Sequence, residues 1–118
     1  MSSMAPQENI AVRDDVAEGV VVVRPAGDVD MSCSPDLRVA LRSVHERRPS
    51  KLIVDLEDVG YMDSSGLATL VESMRTAKGN KTDMVLCAMN DKVRAIFEIA
   101  RLNQFFTIVD SLDDAISA

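Results

Sequence analysis

The stretch Leu52-Ile-Val-Asp-Leu-Glu-Asp-Val-Gly-Tyr-Met-Asp-Ser-Ser-Gly-Leu67 decides how the rest of the chain is read. It opens on an apolar run without polar alternation, the pattern of a strand buried on both faces. It ends where Leu67, Leu70, Val71, Met74 and Ala77 begin to recur at helical spacing. An acidic loop with one glycine joins the two. The segment is therefore a strand, a turn-around and a helix start, with Ser64 in the first helical turn.

The same alternation extends in both directions. Upstream, Val20-Val21-Val22-Val23 is a β-branched run suited to a second buried strand, ended by Pro25 and Gly27. Ser34-Pro35-Asp36 gives a serine cap, a proline in the first turn and an acid where the helix dipole favours one. Leu37, Ala40, Leu41 and Val44 continue that helix, and Pro49 stops it. Asn9 to Val12 reads as a short edge strand, with Asp14 to Gly19 as a hairpin turn. Downstream, the helix from Ser64 closes at Gly79-Asn80, and Met84 to Ala88 forms a strand. Asn90 or Asp91 caps a helix carrying Val93, Ile96, Phe97 and Ala100. Phe105 to Val109 makes the last strand, and Ser111 opens a terminal helix with Leu112, Ala115 and Ile116.

The resulting order is β-β-α-β-α-β-α-β-α. Strands alternating with helices imply right-handed crossovers and an α/β fold: one mostly parallel, mixed sheet of about five strands with four helices. The initial pair is expected to be antiparallel. Residues 1–8 are small and polar and read as a disordered tail, leaving 9–118 as a single domain, in keeping with 118 residues in all.

Composition narrows the function classes. Aromatics are 3% of the chain and tryptophan is absent, so there is little on which bases could stack. A net charge of -6 repels nucleic acid and anionic membrane alike. Cys33 and Cys87 lie far apart, form no C-x-x-C pair and have only His45 as a possible co-ligand, so two reduced thiols and no metal are expected. No apolar run reaches membrane-spanning length and no signal core opens the chain, which leads to the expectation of a cytoplasmic protein. No P-loop or G-x-G-x-x-G is present, and Asp63-Ser64-Ser65-Gly66 is not a G-x-S-x-G elbow. His45 is expected to be a solvated residue in a basic helix end. Catalysis by the chain itself, and any cofactor or small-molecule substrate, is not expected.

Ser64 is the residue of interest. The first N–H groups of a helix lack partners within it, so they bond a capping oxygen or cradle a phosphate. Taken alone, a serine there is more often a cap contributing about 1 kcal/mol than a modification site. No Glu or Gln follows at the spacing of a capping box.

The wider stretch Val54-Asp-Leu-Glu-Asp-Val-Gly-Tyr-Met-Asp-Ser-Ser-Gly-Leu67 resembles the signature of STAS domains in bacterial anti-sigma-factor antagonists, where a V-D-L strand is followed by a D-S-[ST]-G-L turn into a helix. Gly27-Asp28-Val29-Asp30 resembles that family's G-[DE]-[LV]-D stretch, and Val85 to Asn90 with Val93 to Leu102 resembles its following strand and helix. The resemblance implies the STAS fold. It also implies that Ser64 accepts phosphate, with Ser65 second in line, and that Asp28 and Asp30 lie near that loop. Asp63, Ser64, Ser65, Gly66 and Leu67 would complete a partner-binding surface. The implied partners are an anti-sigma factor with serine kinase activity, bound by the unphosphorylated form to release the sigma factor, and a PP2C-type phosphatase. Gly66 has two readings, close approach of a partner's backbone or close packing of the helix on its own loop.

Two alternatives remain. A receiver-like domain would be phosphorylated on Asp55, with Asp14-Asp15 as its metal-binding acids, although a strand follows those acids and Asp110-Ser111 stands where a lysine is needed. A phospho-independent STAS module serving as a scaffold in a signalling or transport complex would have the same fold.

Overall fold

The computed structural model describes residues 9–118, so the expected tail lies outside the described residues. The elements are β1 (Ile10–Ala17), β2 (Val20–Pro25), α1 (Ser34–Glu46), β3 (Lys51–Asp55), α2 (Ser64–Asn80), β4 (Asp83–Cys87), α3 (Asp91–Ile99), β5 (Thr107–Val109) and α4 (Leu112–Ser117). The strands form one sheet in the order β1-β2-β3-β4-β5. β1 pairs with β2 antiparallel, and every later pair is parallel.

This topology dictates where the helices go. Three right-handed crossovers that all step the same way across the sheet carry their helices to the same face. Accordingly, α1, α2 and α3 place Leu37, Leu41, Val44, Leu70, Met74, Ala77, Val93 and Phe97 in one core with Val21, Val23, Leu52, Val54, Met84 and Leu86. The alternate strand residues Val20, Val22, Ile53, Val85 and Cys87 face the other way. α4 folds back to cover them with Ala115, Leu112 and Ile116. Lys51 fixes this lid: its Nζ donates to the carbonyls of Ala115 at 2.8 Å, Ile116 at 3.2 Å and Ala118 at 2.6 Å. Both faces of β2, β3 and β4 are thus covered, which is why these strands read as continuous apolar runs. No helix among the described residues is long and apolar enough to cross a membrane.

Several boundaries differ from the sequence reading. β1 does not stop at Val12 but runs on to Ala17, with a register shift between Arg13 and Ala17. Asp14 and Asp15 therefore lie in an edge strand and not in a turn. Their side chains reach solvent and pair with Arg47 at 2.9 Å and Arg13 at 3.5 Å. Ser34 does not cap α1; the N-cap is Cys33 with no side-chain bond, and the Asp30 carbonyl accepts from Cys33 N–H and Ser34 N–H instead. Gly79 lies inside α2, and the left-handed residue closing it is Lys81, φ 61°. β4 ends at Cys87, and Ala88 has φ 62°. The last strand spans only Thr107–Val109, because Phe106 turns into the core to meet Phe97 edge-on at 5.6 Å.

His45 is the clearest departure. Only 5% of it is exposed, and its Nε2 lies 2.8 Å from Ser73 Oγ on α2. Its Nδ1 is buried without a partner among the described residues. The tautomer that donates from Nε2 leaves only a lone pair unbonded, and burial pushes the imidazole pKa below its usual value.

Candidate functional site

The loop between β3 and α2 is held in place by the loop between β2 and α1. Gly27 N–H donates to the Asp58 carbonyl at 2.9 Å, Val29 N–H to Tyr61 at 2.9 Å, and Asp63 N–H to Val29 at 3.1 Å. Val29 and Met62 form a parallel bridge, both wholly buried. This short ladder sets Asp28 and Asp30 beside the 60–64 segment, as the resemblance implied. Asp28 is exposed, with its Oδ1 over Gly60, where an added Cβ would come within 3.2 Å.

Asp63 caps α2. Its Oδ1 accepts from Ser65 N–H at 2.9 Å, Gly66 N–H at 3.2 Å and Ser65 Oγ at 2.6 Å. The Ser65 hydroxyl holds its carboxyl below the usual carboxylate range, aided by those N–H groups. Asp30 repeats the arrangement: its Oδ1 accepts from Ser32 N–H at 2.9 Å and Ser32 Oγ at 2.6 Å, and its carboxyl is likewise held low by the Ser32 hydroxyl. Asp63 opposes that shift through like-charge repulsion, so the two carboxylates sense one another.

Ser64 and Ser65 are thereby told apart. Ser65 is half-buried and its hydroxyl is committed to Asp63. Ser64 occupies the first helical position, is exposed, and no hydrogen bond among the described residues occupies its hydroxyl. The expectation that helix N–H groups would be open to a phosphate is narrowed: those of Ser65 and Gly66 already donate to Asp63, while that of Ser64 itself has no partner among the described residues.

Gly66 is buried, and a Cβ there would lie 2.6 Å from Met62 Cγ, 2.9 Å from Val29 Cγ1 and 3.0 Å from Val29 O. The chain's own packing accounts for this glycine. Leu67, half-buried, lines a groove of about 420 Å³ with Tyr61, Met62, Asp63, Ser64, Ile96, Ile99 and Ala100. Tyr61 and Ile99 are 47% and 84% exposed, so Ser64 stands at the edge of an open apolar trough between α2 and α3. No sequence signal singled out Tyr61, Ile96 and Ile99 as neighbours of Ser64. Ile96 and Ile99 lie a turn apart on α3, and only the fold brings that helix beside α2.

The rival sites come apart. Asp55 has no exposed surface; Arg24 Nη1 bonds its Oδ2 at 3.2 Å, and Glu57 N–H donates to its Oδ1 at 3.1 Å. It is closed to phosphoryl transfer, and Asp14 and Asp15 stand away from it on the edge strand. His45 offers Ser64 no base, since it bonds Ser73, nine residues further along α2. At 1.5 Å per residue that is about 14 Å of helix.

Comparison with known proteins agrees with this geometry. The model of the STAS domain family matches residues 11–115. An anti-sigma-B factor antagonist of Listeria monocytogenes is 30% identical over 83 residues, which span 70% of this chain and 73% of that protein. The crystal structure of an anti-sigma factor antagonist from Mycobacterium paratuberculosis superposes with a TM-score of 0.83 at 28% identity, over 92% of this chain and 90% of that one. The Bacillus cell-fate determinant SpoIIAA in its phosphorylated form gives a TM-score of 0.72 at 21% identity, covering 92% and 96%, a likeness of fold alone. With its element order, sheet topology and helix-start loop all in place, the chain belongs to the STAS domain family.

Proposed function

We propose that this protein is an anti-sigma factor antagonist whose docking surface is centred on Ser64. In its unphosphorylated form it binds an anti-sigma factor with serine kinase activity and so frees the sigma factor. Transfer of phosphate to Ser64 ends the binding, and a PP2C-type phosphatase restores it. The protein acts in the cytoplasm and has no catalysis of its own; ATP and the chemistry of transfer belong to the partner. The observation that carries this reading is the uncommitted, exposed Ser64 hydroxyl beside an apolar groove, next to a Ser65 hydroxyl already bonded to Asp63. The names of the relatives support the anti-sigma role.

The groove supplies apolar area for a partner, while Asp28, Asp30 and Asp63 supply a negative rim that favours a basic face opposite. Phosphate on Ser64 adds about -1.5 to -2 charges to that rim. A hundredfold loss of affinity requires about 2.7 kcal/mol, which desolvating such a group at a packed interface readily supplies.

The test is to incubate the protein with ATP and each purified anti-sigma kinase of its own genome, locate phosphate by mass spectrometry, and measure binding of Ser64→Ala and Ser64→Asp. Phosphate is expected on Ser64 alone, with the alanine variant bound and unswitchable and the aspartate variant bound at least tenfold more weakly. Full phosphorylation of the alanine variant, or equal binding by both variants, overturns the reading; equal binding is the result a phospho-independent scaffold would give.

A further inference from the structure

The loop before α1 and the loop before α2 are copies of one design laid side by side. The parallel bridge between Val29 and Met62 lays the two segments side by side, with Asp30-Met31-Ser32 following one bridge residue and Asp63-Ser64-Ser65 following the other. Asp63 N–H donating to the Val29 carbonyl extends the pairing past the bridge. In each segment the aspartate Oδ1 accepts from the serine two residues on, by N–H at 2.9 Å and by hydroxyl at 2.6 Å. Each turn leaves its middle residue outside. In one that residue is Ser64. In the other it is Met31, 76% exposed.

Met31 is not loose. The Asp30 carbonyl accepts from both Cys33 N–H and Ser34 N–H, and Ser32 is tied to Asp30, so the backbone on either side is fixed. The Met31 N–H also contributes to holding the Asp63 carboxyl ionised. A large apolar side chain on a rigid turn, outside both cores, adds nothing to folding and keeps its hydration cost until something covers it. Methionine is the apolar side chain best able to adapt to an irregular surface. The groove of Tyr61, Leu67, Ile96 and Ile99 does not include it, so Met31 would widen the apolar contact around Ser64 beyond that groove.

We propose that Met31 determines which partner this protein accepts: it enters an apolar recess on the face of the anti-sigma kinase that receives Ser64. The inference rests on the docking function proposed above. It assigns discrimination between related kinases to the turn before α1 and the switching to the turn before α2. A kinase with a polar or charged group where Met31 lands is refused, since that group would be desolvated without a bond.

The experiment measures Kd and phosphorylation kinetics for wild type, Met31→Ser, Met31→Leu and Ser64→Asp against each purified anti-sigma kinase of the same genome, with thermal melts of all four. Met31→Ser is expected to melt as wild type, to bind the preferred kinase at least tenfold more weakly, and to raise KM with kcat unchanged, the signature of a binding contact. Its preference between kinases should narrow, and Met31→Leu should restore most of the affinity. If Met31→Ser binds every kinase as wild type does while Ser64→Asp does not bind, the docking function stands and the role of Met31 is refuted. If Ser64→Asp binds as well as wild type, or no kinase binds any of the four, the docking function falls and the role of Met31 with it.

Discussion

Replacing Gly66 by alanine tests how closely the start of α2 is packed, and the outcome separates the two readings of that glycine. The new Cβ would lie 2.6 Å from Met62 Cγ, 2.9 Å from Val29 Cγ1 and 3.0 Å from Val29 O. Met62 could yield in principle, but it is wholly buried and has no free volume to enter without cost. Val29 can yield less: its carbonyl accepts from Asp63 N–H and its own N–H donates to Tyr61, so retreat would break the ladder that places the loop. Overpacking of this kind costs about 1–3 kcal/mol. Alanine recovers up to about 1 kcal/mol over glycine within a helix, and less in the first turn. The balance is a loss of about 1–2 kcal/mol, with a fall in Tm of roughly 3–10 °C for a domain of this size. Urea denaturation followed by far-UV circular dichroism measures it, with m unchanged if only stability moves. A Gly66→Ala midpoint at or above that of wild type would refute the packing argument. If that stable variant also failed to bind a kinase, the close approach at Gly66 would belong to a partner's backbone.

Two further predictions concern buried groups. The pKa of His45 is lower in the folded protein than the unfolded value of about 6.5, because burial penalises the imidazolium. The unfolded state therefore binds the proton first, so the contribution of neutral His45 is present above that pH and is lost as pH falls below it. Urea midpoints measured from pH 7.5 down to about 5 should drop for wild type and less for His45→Gln; parallel pH profiles would remove His45 as the cause. Cys87 has no exposed surface, and its thiol is pushed up to about 12, first by burial and then by the charge of Asp55. Cys33 is half-buried, so a thiol reagent at neutral pH should label Cys33 first and reach Cys87 only on unfolding; equal native labelling rates would contradict the assigned burial.

What the sequence made legible follows from which physical terms dominate locally. The strands β2, β3 and β4 and the apolar faces of α1, α2 and α3 announce themselves because burial on two faces, or on one helical stripe, leaves a pattern in composition. β1 reads short in the sequence because Asp14 and Asp15 are poor strand formers; at an edge their carboxylates reach water and the pattern of two vanishes. His45 was hidden by the basic residues after it, although Leu37, Leu41 and His45 recur at every fourth residue and share a face. The repeated D-x-S of Asp30-Met31-Ser32 and Asp63-Ser64-Ser65 is equally visible, but two short turns acquire meaning only when the bridge between Val29 and Met62 lays them side by side. The groove could not be found at all from spacing, since its walls come from separate helices.

Under the proposed function, the occupied donors at the start of α2 constrain how a phosphate on Ser64 would act. If the N–H groups of Ser65 and Gly66 were free, phosphate would cap the helix, stabilise the fold and draw the modified side chain back against the chain. Asp63 already takes both, and it is more firmly ionised for doing so. A phosphate on Ser64 would find the Ser65 and Gly66 donors taken, leaving the N–H of Ser64 itself as the helix-start donor with no partner among the described residues, and it would share the field of Asp63 and Asp30. Folding would then gain little from it, and the partner would meet most of it. Under the proposed function the discrimination between the two states then lies in the interface, where a few kcal/mol of desolvation and repulsion decide binding, and the conformation of this chain need not change.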